Sequence, residues 1–112
     1  MSVINIRTVL AASDTAFPLR DSLFETITEP TLVEIGIAAD ATGVLATINS
    51  GPDTVVEEAP VSLKTINVLP VYPDDFYSDE ALPQDKLSIK LRDTTGAQRI
   101  VMTQVRLTPL GV

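Results

Sequence analysis

Carboxylates are the reactive groups this chain has in number: fifteen Asp and Glu among 112 residues, against eight Lys and Arg, for a formal charge of −7. Two kinds of chemistry need carboxylates in groups. A hard cation such as Ca²⁺ collects several oxygen donors, and Asp74, Asp75, Asp79 and Glu80 fall within one short stretch. They lack the D-x-D-x-D-G spacing of a calcium loop, and neighbours such as Asp74 and Asp75 rarely converge on one ion, so an unliganded acidic turn is expected. Glycoside hydrolysis needs two carboxyls at a fixed separation. Glu25, Glu34, Glu57 and Glu58 lie on or near apparent strands, but nothing in their spacing fixes such a pair. An amine and an amide, Lys64 and Asn67, could close an isopeptide bond only if buried beside an acid. No catalytic, metal-binding or cofactor-binding residue is therefore assigned.

What is missing narrows the chemistry further. The chain has no Cys, His or Trp, which removes disulfide scaffolds, thiolate and imidazole metal sites, and Ser-His or Cys-His catalysis. Its five glycines stand singly, so no phosphate-cradling loop is present. Acidic charge argues against a nucleic-acid partner, whose phosphates need Lys and Arg, and against a polybasic membrane-surface role. No apolar run approaches the roughly 20 residues that span a bilayer. Residues 9–12 are read as the end of a first strand rather than of a signal peptide, because Arg7 interrupts any hydrophobic region there.

The elements that would position these groups are strands. With 45% hydrophobic residues the chain can build a core, and β-branched residues recur in short runs broken by Pro, Gly, Asp and Ser. Strands are expected over residues 4–10, 23–28, 31–39, 44–49, 54–57, 61–69, 86–92 and 97–108. Val33, Ile35 and Ile37 share one face of the third run, a turn at residues 40–43 suggests a hairpin, and residues 50–53 make the next turn. Residues 71–84 read as a Pro-bounded acidic loop with at most one helical turn. About eight short strands make a single antiparallel β-sandwich domain, a jelly roll in preference to an immunoglobulin-like sandwich.

The last two strands flank Asp93-Thr94-Thr95-Gly96, and a four-residue hairpin loop would set Lys90 opposite Arg99, with Leu87, Ile89, Leu91, Ile100 and Met102 on the core face. Lys86, Ser88, Lys90, Arg92 and Arg99 would then form a basic strip on the other face. Five acids (Asp74, Asp75, Asp79, Glu80 and Asp85) precede it without an intervening basic residue. Loop and strip are complementary in charge: the first expectation is that both are solvated surface or pair within one subunit, and the alternative is head-to-tail contact between copies. Tyr72, Phe76 and Tyr77 sit in the same loop, either folded back over one end of the sandwich or as apolar anchors for a neighbouring subunit, whereas Phe17 and Phe24 read as core or rim.

In its layout the chain resembles small β-sandwich structural proteins of bacteriophage particles. The likeness runs through Asn49-Ser50-Gly51-Pro52-Asp53, Val55-Val56-Glu57-Glu58, Pro70-Val71-Tyr72-Pro73-Asp74-Asp75, Asp85-Lys86-Leu87 and Asp93-Thr94-Thr95-Gly96, roughly the last two-thirds. The resemblance implies a non-enzymatic capsid, minor capsid or decoration protein located in the virion. Its partners would be further copies of itself and other virion proteins, with neither nucleic acid nor membrane insertion. The alternative is a stand-alone receptor- or carbohydrate-binding module at an extracellular surface.

Overall fold

A computed structural model describes residues 2–19, 26–51, 53–65, 68–72 and 74–110. Among these residues there are nine strands, most of them runs of β-branched residues: β1 (Ser2–Leu10), β2 (Thr15–Ala16), β3 (Thr31–Ala39), β4 (Val44–Ser50), β5 (Asp53–Pro60), β6 (Ser62–Leu63), β7 (Phe76–Ala81), β8 (Leu87–Asp93) and β9 (Arg99–Pro109). They lie in two sheets. One has the order β1-β9-β3, with β7 and the short β6 sharing the far side of β3; the other runs β2-β8-β4-β5.

The pairing is nested. Setting β6 aside, β1 pairs with β9, β2 with β8, β3 with β7 and β4 with β5, all antiparallel. The chain is thus one long hairpin, its tip at Gly51, rolled up so that successive pairs fall in alternate sheets. That is the jelly roll. Among the described residues only β6 runs parallel to its neighbour.

Alternation drives the two sheets together. Val33, Ile35 and Ile37 from β3, Val44, Ala46 and Ile48 from β4, Leu87, Ile89 and Leu91 from β8, and Val101 and Val105 from β9 form the buried seam. Ser50, Asp93 and Thr103 are buried polar members of the same inward positions.

Two expected hairpins are instead arches between sheets. β3 has the expected bounds and β4 runs one residue past them to Ser50, but β3 pairs with β9 while β4 pairs with β8. β8 and β9 likewise do not pair with each other, so Lys90 lies opposite Thr47 rather than Arg99. The inward face of β9 is Val101, Thr103, Val105 and Leu107; Ile100 and Met102 face outward, half-buried. Period-two alternation is satisfied equally by strands that pair edge to edge and by strands that face each other across a core, and both phases of β9 carry apolar residues.

Two other expectations change. Residues 76–81, expected as loop, form strand β7, and of the long strand expected over 61–69 only Ser62–Leu63 is strand among the described residues. For the strand expected at 23–28, Thr26 makes an isolated bridge to Lys86, while Phe24 and Glu25 lie outside the described residues. Phe17 is a rim residue, 37% exposed.

Candidate functional site

The two outer faces of the sandwich differ in chemistry. On the β2-β8-β4-β5 sheet, even-numbered residues of β8 face outward beside Leu45, Thr47 and Asn49 of β4. The expected basic strip survives here as Lys86, Ser88, Lys90 and Arg92, and its compensating acid is Glu58. A bulge in β5 places Glu57 and Glu58 against the single Thr47, with Glu58 at φ 46° and its N–H donating to the Thr47 hydroxyl at 3.2 Å. The Arg92 guanidinium donates to both Glu58 carboxylate oxygens and holds that carboxyl below its ordinary range. Both side chains are 40% exposed, so the pair is solvated and screened.

Arg99 is not on the strip. It projects at the end of the sandwich, where it donates to the carbonyls of Thr42 and Gln98 and to the Thr95 hydroxyl. The organising group at that end is Asp93. It accepts from the N–H of Ser13 at 2.9 Å, the N–H of Thr95 at 3.0 Å and the Thr95 hydroxyl at 2.8 Å. The Ser13 N–H is the largest influence; together with Thr95 and the Arg99 charge it lowers the Asp93 pKa to about 2. Gly43, at φ 103°, lets the β3–β4 arch nest against Thr94 and Thr95 of the other arch.

The acidic residues do not converge. Asp74 is exposed. Asp75 accepts from the Val71 N–H and the Ser62 hydroxyl and pairs with Lys64 at 3.3 Å; these contacts, the Val71 N–H foremost, keep its carboxyl ionised below the usual range. Asp79 and Glu80 are neighbours on β7 and so take opposite sides of it. Asp85 accepts from the Leu82 N–H and lies over Gly51. Among the described residues no three His, Cys, Asp or Glu gather to hold a metal ion. Glu34 and Glu58 sit on opposite outer faces, Lys64 is engaged by Asp75, and Asn67 lies outside the described residues.

The outer face of the β1-β9-β3-β7 sheet carries an ordered aromatic and polar cluster. One cross-strand row runs Asn5, Gln104, Gly36, Phe76. Gly36 has no side chain, and the Phe76 ring fills that space: a Cβ built on Gly36 would meet its carbons at 2.5–2.7 Å. Tyr72 stacks edge-on against Phe76 with centroids 5.2 Å apart. The Arg106 guanidinium lies 3.9 Å from the centre of the Tyr72 ring. The Tyr72 hydroxyl donates to Glu34 at 2.7 Å, which raises the phenol pKa above its ordinary value. Arg106 Nε donates to Gln104 Oε1, and Gln104 Nε2 to Asn5 Oδ1, at 3.0 and 2.8 Å.

Of the anchors expected from sequence, this face brings together Tyr72 and Phe76. Tyr77, opposite Ile35, takes the other side of β7 and is 42% exposed. Asn5, Glu34, Gln104 and Arg106 escaped sequence reading as members of a cluster, although the even phase shared by Gln104 and Arg106 marks them as outward once β9 is correctly phased.

Fold and face together define a jelly-roll sandwich with one solvated outer sheet and one ordered, partly apolar outer sheet. A scan against protein-family models finds no match, and a search of curated proteins finds no similar sequence.

Proposed function

We propose that the chain is a non-enzymatic structural subunit of a bacteriophage particle, a capsid, minor capsid or decoration component that acts by self-assembly or by seating on the capsid lattice. The observation that carries this is the contrast between the two outer faces. Tyr, Phe, Met and Arg are the residues that interfaces concentrate, and Tyr72, Phe76, Met102 and Arg106 share one face with Val3, Val9, Leu32 and Ile100. The opposite face is largely Lys, Arg, Glu, Thr, Ser and Asn. Jelly rolls serve as viral coat domains and as lectins alike, so the face rather than the fold supports this reading.

The test is assembly of the recombinant chain, followed by sedimentation velocity and electron microscopy, alone and with particles. Rings, shells or particle-bound chain are expected. Tyr72→Ala with Arg106→Ala should abolish them, and Lys90→Glu on the other face should leave them intact. A chain that ignores particles, stays monomeric and binds a glycan array would overturn this reading in favour of a stand-alone binding module.

A further inference from the structure

A sandwich presents backbone donors and acceptors at the edges of its sheets, and proteins ordinarily blunt those edges with charge, bulges, Pro or shortness. Among the described residues the two sheets have four edges, and three of them are blunted. β2 has two residues. β5 is bulged at Glu57-Glu58 and ends in Pro60. β7 carries Asp79 and Glu80 and shares its side of β3 with the two-residue β6. The fourth edge, β1, is nine residues long, is rich in β-branched residues and has Arg7 as its one charge. Among the described residues β1 pairs with β9 alone.

The pairing of β9 fixes the direction of the β1 backbone groups. Ile100 turns both its N–H and its C=O toward Asp40, on the β3 side of β9. Directions alternate along a strand, so Val101, Thr103 and Val105 turn toward β1, where they meet Thr8, Ile6 and Ile4. The odd-numbered residues of β1, among them Val3, Asn5 and Val9, therefore aim theirs at the outer edge. Val3 is 45% and Val9 48% exposed.

We propose that β1 is the docking edge for a second copy of this chain, the two β1 strands pairing antiparallel about a twofold axis at Ile6. In this register Val3 lies opposite Val9 of the copy, Asn5 opposite Arg7, Ile4 opposite Thr8 and Ile6 opposite its own equivalent. It is the one twofold register that brings the whole of β1 into the ladder. It matches odd residues to odd, as the hydrogen bonds require, and sets the two exposed valines against each other in both halves. It opposes no like charges, whereas a shift of one position in the axis toward the C-terminus would set Arg7 against Arg7. On the inner side it completes the cover of Ile4 and Ile6, which only partly bury against the core. The result is an isologous dimer with one sheet continuous through both copies. The inference rests on the assembly reading above and names one contact within it.

The test is a charge swap at exposed positions. Sedimentation equilibrium of the wild-type chain should show a monomer–dimer equilibrium. Val3→Lys with Val9→Lys, and separately Val3→Glu with Val9→Glu, place like charges directly opposite and should weaken dimerisation about tenfold or more. Mixing the two variants should restore the dimer, because Lys then meets Glu at both positions. Thr54→Lys, on the β5 edge, should change nothing, and circular dichroism should show all variants folded. Unaltered dimers in both charge variants, or failure of the mixture to re-pair, would overturn the β1 contact while leaving assembly through the sheet face standing. A wild-type chain monomeric up to millimolar concentration would also overturn it, and binding to particles would then be judged by its own assay.

Discussion

Replacing Thr103 by Val should make the protein more stable. Thr103 is fully buried in the middle of β9, opposite Ile6 on one side and Ile37 on the other, and its hydroxyl has no hydrogen-bond partner among the described residues. An unpaired buried hydroxyl costs about 1–3 kcal/mol relative to water. Val has nearly the same outline, keeps the β-branch that suits a strand, and puts a methyl where the hydroxyl stood. Allowing for some strain in the closer packing, the expected gain is about 1–2 kcal/mol. For a domain of this length 1 kcal/mol corresponds to about 4 °C in Tm, so a rise of about 4–8 °C should follow. Thermal unfolding by circular dichroism and urea titration would read it, with the midpoint raised and the m-value unchanged. Thr103→Ser should lower stability, since it keeps the orphaned hydroxyl and discards the methyl. A Val variant no more stable than wild type would refute the reasoning, because it would mean that the hydroxyl is satisfied in solution or that β9 has the other phase.

Two further outcomes follow from the site. Gly36→Ala should drive the Phe76 ring off β3, costing about 1–3 kcal/mol by overpacking, and should abolish the ring-current shift of the Arg106 side-chain protons in NMR spectra; adding Phe76→Ala should recover part of the stability but not the shift. Acid should weaken the fold through Asp93: its folded pKa of about 2 lies below the ordinary value of 3.8, so the stability it contributes is complete above about pH 4 and is lost as pH falls toward 2. Asp93→Asn should be less stable than wild type at neutral pH, and urea midpoints of the two should converge near pH 2.

The sequence made the core phases of β3 and β8 legible, because Val33, Ile35 and Ile37, and Leu87, Ile89 and Leu91, alternate with residues that are polar or small. It also marked the turn glycines: Gly43, Gly51 and Gly96 all have positive φ. The phase of β9 was hidden, since Ile100 and Met102 compete with Val101 and Val105 and only the partners decide between them. Whether two neighbouring strands form a hairpin or an arch was hidden for the same reason. β7 was hidden because Ser, Asp and Glu are poor strand formers. Its strand character comes from docking along β3, from the fully buried Ala81 and from the Asp75 strap to Lys64, Ser62 and Val71. For the candidate site, Tyr72 and Phe76 were visible as unusual loop aromatics, whereas Glu34 and Arg106 became partners only through β3 and β9.

Strand β7 and the candidate face depend on one contact. Phe76 fills the space over Gly36, and that contact both docks the polar β7 onto β3 and supplies the surface on which Tyr72 and Arg106 stack. Tyr72 is tied in turn to Glu34 on β3, and Arg106 through Gln104 to Asn5 on β1. The cluster therefore crosses the sheet from β7 to β1, so the face is held by its own contacts and a partner seated there would find little side-chain entropy left to lose. The same connection brings order to the edge where a second β1 would dock, because the Asn5 side chain that Gln104 holds belongs to the residue whose backbone faces outward. Loss of the Gly36–Phe76 contact should for this reason loosen β7 first and the Asn5 end of the network after it, while the buried seam between the sheets, which uses none of these residues, stays closed.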